Sequence, residues 1–455
     1  MALESYNPST EERIASYSET SPERIEEMLE AAESAQREWA ATGFGERAEV
    51  MGGAARLLRE RASDLARLMA TEMGKPLTEG RSEAEKCARV CDYYAGNAEA
   101  HLEDRPIPTD AARSYVTYRP LGVLLAVMPW NFPFWQVFRF LAPSLMAGNA
   151  ALLKHSSNVT GCALRIGEII RGAGFPEGLF DVLVLPSDKV SDVIADPRVR
   201  GVSLTGSTPA GISVGSSAGA SLIPSVLELG GSDPYVILAD ADLRAAAETC
   251  AFSRLINAGQ CCISAKRMIV ERKVSFDFCD LLIERMAART MGDPLEGGVD
   301  VGPMARADLR EEIHGQVRRS VKMGASVALG CEMPGGRGWF YPPSVLTGVS
   351  KGMPAFDEET FGPVAAVLEA ADEEECIRLA NDTSFGLGAA VFTSDVEKGE
   401  RIAADRLRAG CCFVNTFVRS DPRLPFGGIK GSGYGRELSR EGILEFVNAK
   451  TVYRA

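Results

Sequence analysis

The strongest constraint on this chain is an alternation of short β-branched runs with helical stretches that begins near Tyr115 and continues almost to the C-terminus. Between Tyr115 and Met128 the residues predict strand, turn and strand, with Pro120-Leu121-Gly122 as the turn. Further strands are expected at Ala150 to Lys154, Leu179 to Leu185 and Val199 to Thr205, and helices at Ala163 to Arg171, Val190 to Ala195 and Pro209 to Ala218. A second series follows Glu228, with a helix from Leu243 to Leu255 and strands at Tyr235 to Leu238, Met268 to Val270, Val364 to Leu368 and Ala389 to Phe392. Strands joined through helices pair in parallel, so two α/β domains are implied. Upstream, Ser21 to about Ala100 reads as helical scaffold: Ser21 can cap, Pro22 suits the first helical position, and Ile25, Met28, Leu29 and Ala32 recur at helical spacing. No Pro/Ser-rich linker separates the series, so the domains are expected to pack closely with the active site between them.

Composition narrows the function classes. A chain of 455 residues favours an enzyme of two or three domains over a small binding module. A net charge of -13 without a basic stripe argues against nucleic acid as a partner. No apolar run approaches the roughly 20 residues that span a bilayer, and the first residues lack a secretory pattern, so no membrane association and a cytoplasmic location are expected. Eleven cysteines, an odd number without framework spacing, point to free thiols. Only His101, His155 and His314 are present, without a second cluster to complete a metal site, and no metal is expected.

Four local patterns bear on chemistry. Gly172-Ala173-Gly174 to Gly178 follows a helix and leads into a strand, the reverse of a dinucleotide fingerprint. Leu204-Thr205-Gly206-Ser207-Thr208-Pro209-Ala210-Gly211 has the right order: strand, small-residue turn, helix start, with freed N–H groups able to hold a pyrophosphate or simply to make a tight connection. Gly259-Gln260-Cys261-Cys262 places two thiols after a glycine turn, where one could be exposed; Cys87, Cys91, Cys162, Cys250 and the pair Cys411-Cys412 read instead as buried packing. Glu228, on the apolar run Val226-Leu227-Leu229, is either a candidate base with a raised pKa or a carboxylate satisfied by backbone.

These pieces occur together with others in one order: Pro129-Trp130-Asn131-Phe132-Pro133, Leu153-Lys154, Thr205-Gly206-Ser207-Thr208, Glu228-Leu229-Gly230-Gly231, Asn257 to Cys262, Glu359-Thr360-Phe361-Gly362-Pro363, Asn415, and Pro425-Phe426-Gly427-Gly428. The set resembles the aldehyde dehydrogenase superfamily across nearly the whole chain, and within it the short bacterial succinate-semialdehyde dehydrogenases. The resemblance implies an α/β fold with three parts: a five-stranded Rossmann-like cofactor domain (residues 1–104 and 121–228), an α/β catalytic domain (229–432) and a small β oligomerisation flap (105–120 and 433–455). In the flap the strand from Ala449 to Tyr453 would pair with another subunit of a homodimer or homotetramer.

Carried over by resemblance, Cys262 is the nucleophile, Glu228 the general base, and Asn131 with the Cys262 N–H the oxyanion hole. Met128, Pro129 and Trp130 would line the cofactor path with Gly206 and Leu229. Lys154 would hold the cofactor ribose, Ser207 the pyrophosphate, and Glu359 with Phe361 the nicotinamide ribose. An aldehyde keeps its hydride until a nucleophile makes the carbon tetrahedral, so a thiolate attacks first, NAD(P) takes the hydride, and water releases the acid from the thioester. Acylating relatives, which transfer to coenzyme A, lack this glutamate by resemblance, so Glu228 implies free acid. Ser157 stands where NAD-preferring members often place Glu; it implies NADP or dual use, or else caps the following helix. Arg139 matches an arginine that binds the substrate carboxylate in succinate-semialdehyde dehydrogenases, and Ser420 and Phe417 would join it at the substrate. A second arginine of some of those enzymes is Ile256 here, for which Arg419, Ser420 or Arg423 are candidate substitutes. Dehydrogenation of another aldehyde, or acylation of coenzyme A, are the alternatives. Cys261 beside the nucleophile raises a redox switch, against which stands the strain of a disulfide between neighbours.

Overall fold

A computed structural model describes residues 2–455 and carries two principal sheets. The first has six strands in the order Gly433–Tyr434, Ser225–Glu228, Val199–Thr205, Val123–Met128, Ala150–His155 and Phe180–Val182. All neighbours are parallel except Gly433–Tyr434, which pairs antiparallel to Glu228 and Leu227. Val123–Met128 and Ala150–His155 are almost wholly buried, as continuous apolar runs covered on both faces must be. The helices Pro22–Ala41, Phe44–Glu60, Ala62–Met73 and Leu77–His101 form the scaffold read from the sequence, and the Ser21 hydroxyl accepts the Arg24 N–H at 3.2 Å as a cap.

Chain order matters more than strand count. From Val123–Met128 the chain steps outward through 150–155 and 180–182, then returns to place 199–205 on the opposite side of the first strand. That reversal opens a crevice beyond the C-terminal ends of Val123–Met128 and Val199–Thr205, which is where open α/β sheets bind ligands.

The second sheet has seven strands, in the order Ser326–Leu329, Ser344–Thr347, Val364–Ala370, Arg267–Glu271, Pro234–Ile237, Gly388–Phe392 and Cys411–Val414. All pairs are parallel except the outermost, 326–329 with 344–347. The chain leaves the C-terminal end of Ser225–Glu228 and enters the N-terminal end of Pro234–Ile237 after a short Gly-Gly turn. The C-terminal edge of one sheet therefore meets the N-terminal edge of the other, and the loops before Pro234, Arg267 and Val364 converge on the crevice.

Three expectations are corrected. Leu179 to Leu185 shortens to Phe180–Val182 because Val184 exchanges hydrogen bonds with Thr20, N–H to carbonyl at 3.0 Å and N–H to hydroxyl at 3.0 Å, instead of extending the ladder. Gly433–Tyr434, assigned to the flap, belongs to the cofactor-side sheet. The C-terminal strand Val447–Arg454 runs antiparallel to Arg113–Pro120 along its whole length, Arg105–Pro106 adds the third strand, and the outer edge of Val447–Arg454 is left open in the single chain. Cys411 and Cys412 are half-buried on an edge strand, not core. An N-terminal hairpin of Ala2–Tyr6 with Arg13–Ser18 adds an element that the sequence pattern does not announce.

Candidate active site

Cys262 is delivered by a strained turn. The helix Leu243–Leu255 ends, and Asn257, Ala258 and Gly259 follow with φ of 54°, 54° and 74°, three successive left-handed residues of which only one is glycine. Surrounding contacts hold this conformation. The Asn257 N–H donates to Glu79 at 2.8 Å and its amide to the Asn131 carbonyl at 2.8 Å. The Gln260 side chain accepts from Ala305 N–H at 2.8 Å, and Arg254 donates to the Gly259 carbonyl at 2.5 Å. A Cβ on Gly259 would run into the Gly362 carbonyl, which explains the glycine.

The two thiols differ. Cys261 is buried, whereas Cys262 lines a cavity of about 750 Å³. Their mutual hydrogen bond, helped by the Lys266 ammonium and opposed by burial, brings the first ionisation of the pair below the usual thiol range; the second is pushed up by the same hydrogen bond and by burial. Lys266 is fully buried, donates to the carbonyls of Cys261 at 3.0 Å and Cys262 at 2.5 Å, and pairs with Glu359 at 3.2 Å. The site thus holds one negative charge on sulfur readily and two with difficulty.

The cavity that Cys262 lines is the crevice between the sheets. Met128, Pro129, Trp130, Asn131, Lys154, Gly206, Ser207, Leu229, Glu359 and Phe361 all face it, so these expected residues are brought together. The Ser207 hydroxyl caps the helix Thr208–Ala220 by accepting the Ala210 N–H at 3.4 Å, leaving that helix start turned to the cavity. Glu359 accepts from Gly231 N–H at 3.0 Å, and a Cβ on Gly230 would strike its carboxylate. Phe361 packs edge-on against Trp130 with ring centroids 5.8 Å apart. The Asn131 amide donates to the Gln260 carbonyl at 3.1 Å and keeps a second N–H, in the cavity that Cys262 also lines.

Lys154 tests the fit to a dinucleotide. It is 7% exposed, burial lowers its pKa, and among the described residues its ammonium donates to the Ser187 hydroxyl, at 3.1 Å, and to no carboxylate. A buried cation without an anion, across a cavity from a helix N-terminus, fits a phosphorylated cofactor. Ser157 does not line the cavity: it is exposed at the start of a short 3-10 turn, and the Thr160 hydroxyl donates to its carbonyl at 2.9 Å. Ser156 and Ser187 line the cavity with Lys154, and Ser187 is the one whose hydroxyl accepts from it.

Glu228 and Arg139 lie behind the cavity. Glu228 is 2% exposed and neither carboxylate oxygen has a hydrogen-bond partner of ordinary geometry, so burial drives its pKa well up, against the opposing charge of Arg139. Arg139 forms an ion pair with Glu437, reaches Thr205 Oγ1 at 3.3 Å and stacks 4.9 Å over the Phe426 ring. Held by that partner, Arg139 lines neither cavity, although its charge acts on Cys262. Ser420 and Phe417 do share a mouth, a second cavity of about 770 Å³ reached from the other side of the Asn131-Phe132 peptide: Asn131 lines the first cavity and Phe132 the second, together with Ile256, Arg419 and Lys86.

Sequence reasoning missed Lys266, Ser187 and Lys86. Lys266 carried a readable signal, two adjacent cations at the start of an apolar strand; Ser187 and Lys86 carried none, because their roles depend on what packs beside them.

A half-exposed thiol in a crevice at a sheet crossover, facing a buried unpaired ammonium and a helix start that fit a phosphorylated cofactor, defines a cysteine-dependent oxidoreductase of the α/β class. The comparisons narrow this: a sequence model described as the aldehyde dehydrogenase family matches residues 1–452, and the chain belongs to that family, whose members oxidise aldehydes with NAD(P). Succinate-semialdehyde dehydrogenase (NADP(+)) 1 of Mycobacterium tuberculosis is 46% identical over 460 residues, covering 100% of both chains. The succinate semialdehyde dehydrogenase (NAD(P)+) Sad of Escherichia coli is 44% identical over 99% of this chain and 97% of its own. The crystal structure of succinic semialdehyde dehydrogenase from Streptococcus pyogenes, in complex with NADP+ as the cofactor, superposes with a TM-score of 0.97 at 37% identity and covers 99% of each chain.

Proposed function

We propose that this chain oxidises succinate semialdehyde to the free dicarboxylic acid, with NADP accepted at least as readily as NAD. The observation that carries the reading is Cys262 in the same cleft as a buried ammonium that has no carboxylate partner among the described residues, with a second cavity lined by Ser420 and Phe417 on the far side of the Asn131-Phe132 peptide. The names of the full-length relatives support the substrate and the cofactor. Cys262 attacks the carbonyl carbon as thiolate, the proton having left to solvent under the influence of Lys266. Asn131 and the Cys262 N–H carry the oxyanion, each donor of this kind contributing about 3 kcal/mol in other enzymes. Bound nicotinamide supplies the hydride acceptor. The thioester left on Cys262 is hydrolysed by water whose proton passes to Glu228, after that side chain rotates out of its buried position.

The assembly is a homodimer or homotetramer in this reading, supported by the open outer edge of Val447–Arg454 and its exposed Tyr453. Its location is the cytoplasm, supported by the eleven free cysteines. No helix among the described residues is long and apolar enough to cross a membrane.

The test is steady-state kinetics on a panel of aldehydes with both cofactors, with and without coenzyme A, and with Cys262→Ala. Succinate semialdehyde should lead in kcat/KM without coenzyme A, and the alanine variant should be inactive. Preference for a neutral aldehyde, dependence on coenzyme A, or ordinary oxidation by Cys262→Ala refutes it.

A further inference from the structure

The segment that carries Asn131 is held through its backbone by a buried pair of charges. The helix Ala62–Met73 ends at Gly74, whose φ of 82° turns the chain, and Lys75 and Pro76 lead into the helix Leu77–His101. Lys75 points inward from this turn and pairs with Glu83 of that helix; their side chains are 0% and 2% exposed.

The pair grips one short segment at two points. Lys75 Nζ donates to the Asn131 carbonyl at 2.8 Å and stands 3.8 Å from the centroid of the Phe132 ring. The Glu83 carboxylate accepts the N–H groups of Phe134 and Trp135, both at 2.9 Å, where the helix Trp135–Met146 begins. Between these points Pro133 has no N–H, and its carbonyl meets the His155 ring at 2.9 Å. Residues 131–135 are therefore fixed at both ends by one ion pair. Asn257 supplies a second donor to the Asn131 carbonyl, at 2.8 Å, which occupies both lone pairs of that oxygen and ties the segment to the turn that delivers Cys262.

Stability alone does not account for this arrangement. Two buried charges gain little over an apolar pair of the same volume, because their desolvation offsets their attraction. An apolar pair could fill the space, but it could not hold one carbonyl and two N–H groups in register. Lys75 lines neither cavity, so it touches neither substrate nor cofactor.

We propose that Lys75, held by Glu83, is a positioning residue for the oxyanion donor: by fixing the Asn131 backbone it aims the Asn131 amide at the oxygen of the tetrahedral adduct on Cys262. This rests on the reading of Asn131 as an oxyanion donor. Such donors work because they are set in place before the charge develops, and a displacement of about 1 Å can cost ~100-fold in rate.

The experiment measures kcat for the aldehyde that leads in the panel, and the rate at which iodoacetamide alkylates Cys262 in the enzyme without cofactor, read by peptide mass. Asn131→Ala should lower kcat at least ~100-fold and Lys75→Met at least ~10-fold, while Lys75→Met should add less than about twofold in the Asn131→Ala background. Alkylation forms no oxyanion and should stay within about twofold of wild type in the Lys75 variants. Glu83→Gln combined with Lys75→Met removes the unpaired carboxylate and should restore the melting midpoint without restoring kcat, which keeps the test open if the single variant folds poorly. Full kcat in Lys75→Met, an equal loss with and without Asn131, or a loss of alkylation as large as the loss of kcat overturns the proposal. Full turnover by Asn131→Ala removes the oxyanion reading itself, and with it any need to aim that amide.

Discussion

Replacing Arg139 by methionine separates two readings of one residue. The Arg139 and Glu437 side chains are 2% and 5% exposed, and the buried Glu228 feels both of their charges. Removing one partner of a buried pair leaves an uncompensated charge and costs about 3–5 kcal/mol. A domain of this kind loses roughly 2–4 °C of melting midpoint per kcal/mol, so scanning calorimetry should show a fall of at least about 6 °C. Burial is the main force raising the Glu228 pKa and the Arg139 charge is the main one restraining it, so the variant should keep Glu228 protonated to still higher pH. The alkaline rise of kcat should therefore move upward in pH, with KM for succinate semialdehyde unchanged within about twofold, a change of roughly 0.4 kcal/mol. The double variant Arg139→Met, Glu437→Met should regain most of the stability, since an apolar pair is often as stable as the ions it replaces. An unchanged midpoint together with a KM raised for succinate semialdehyde but not for pentanal would refute the reasoning and return Arg139 to the substrate.

Three further outcomes are expected. Glu228→Gln should release one NAD(P)H per active site in a stopped-flow burst and then stall with an acyl adduct visible by intact mass; undiminished steady turnover excludes Glu228 as the base. Ser187→Glu would put a carboxylate against Lys154 and should lower the NADP-over-NAD ratio of kcat/KM at least ~10-fold, about 1.4 kcal/mol, whereas an unchanged ratio places the 2′-phosphate elsewhere. Glu79 lines the substrate mouth and burial raises its carboxyl to about 7, against Lys75 and the Asn257 N–H and in concert with Cys261 and Glu83. It is neutral below that pH and anionic above it, so KM for an anionic aldehyde should rise as pH passes 7; Glu79→Gln should flatten the rise, and a slope identical to wild type removes Glu79 from that role.

The sequence by itself determined the alternating α/β architecture and the scaffold helix capped at Ser21, and its motifs, taken together as a resemblance, pointed to Cys262 and to the turn at Gly206-Ser207. Those signals are local: strand length, helical period, turn chemistry and the spacing of motifs are written within a few residues of one another. Only the tertiary structure decided which charges meet. Arg139 is paired with Glu437 from almost the far end of the chain, Lys154 with a hydroxyl from the loop after Phe180–Val182, and Lys86 with Ser420 from the loop after Cys411–Val414. Whether a cation is left to bind a ligand depends on the burial and the counter-charges that distant segments bring to it, and neither is encoded in its own neighbourhood.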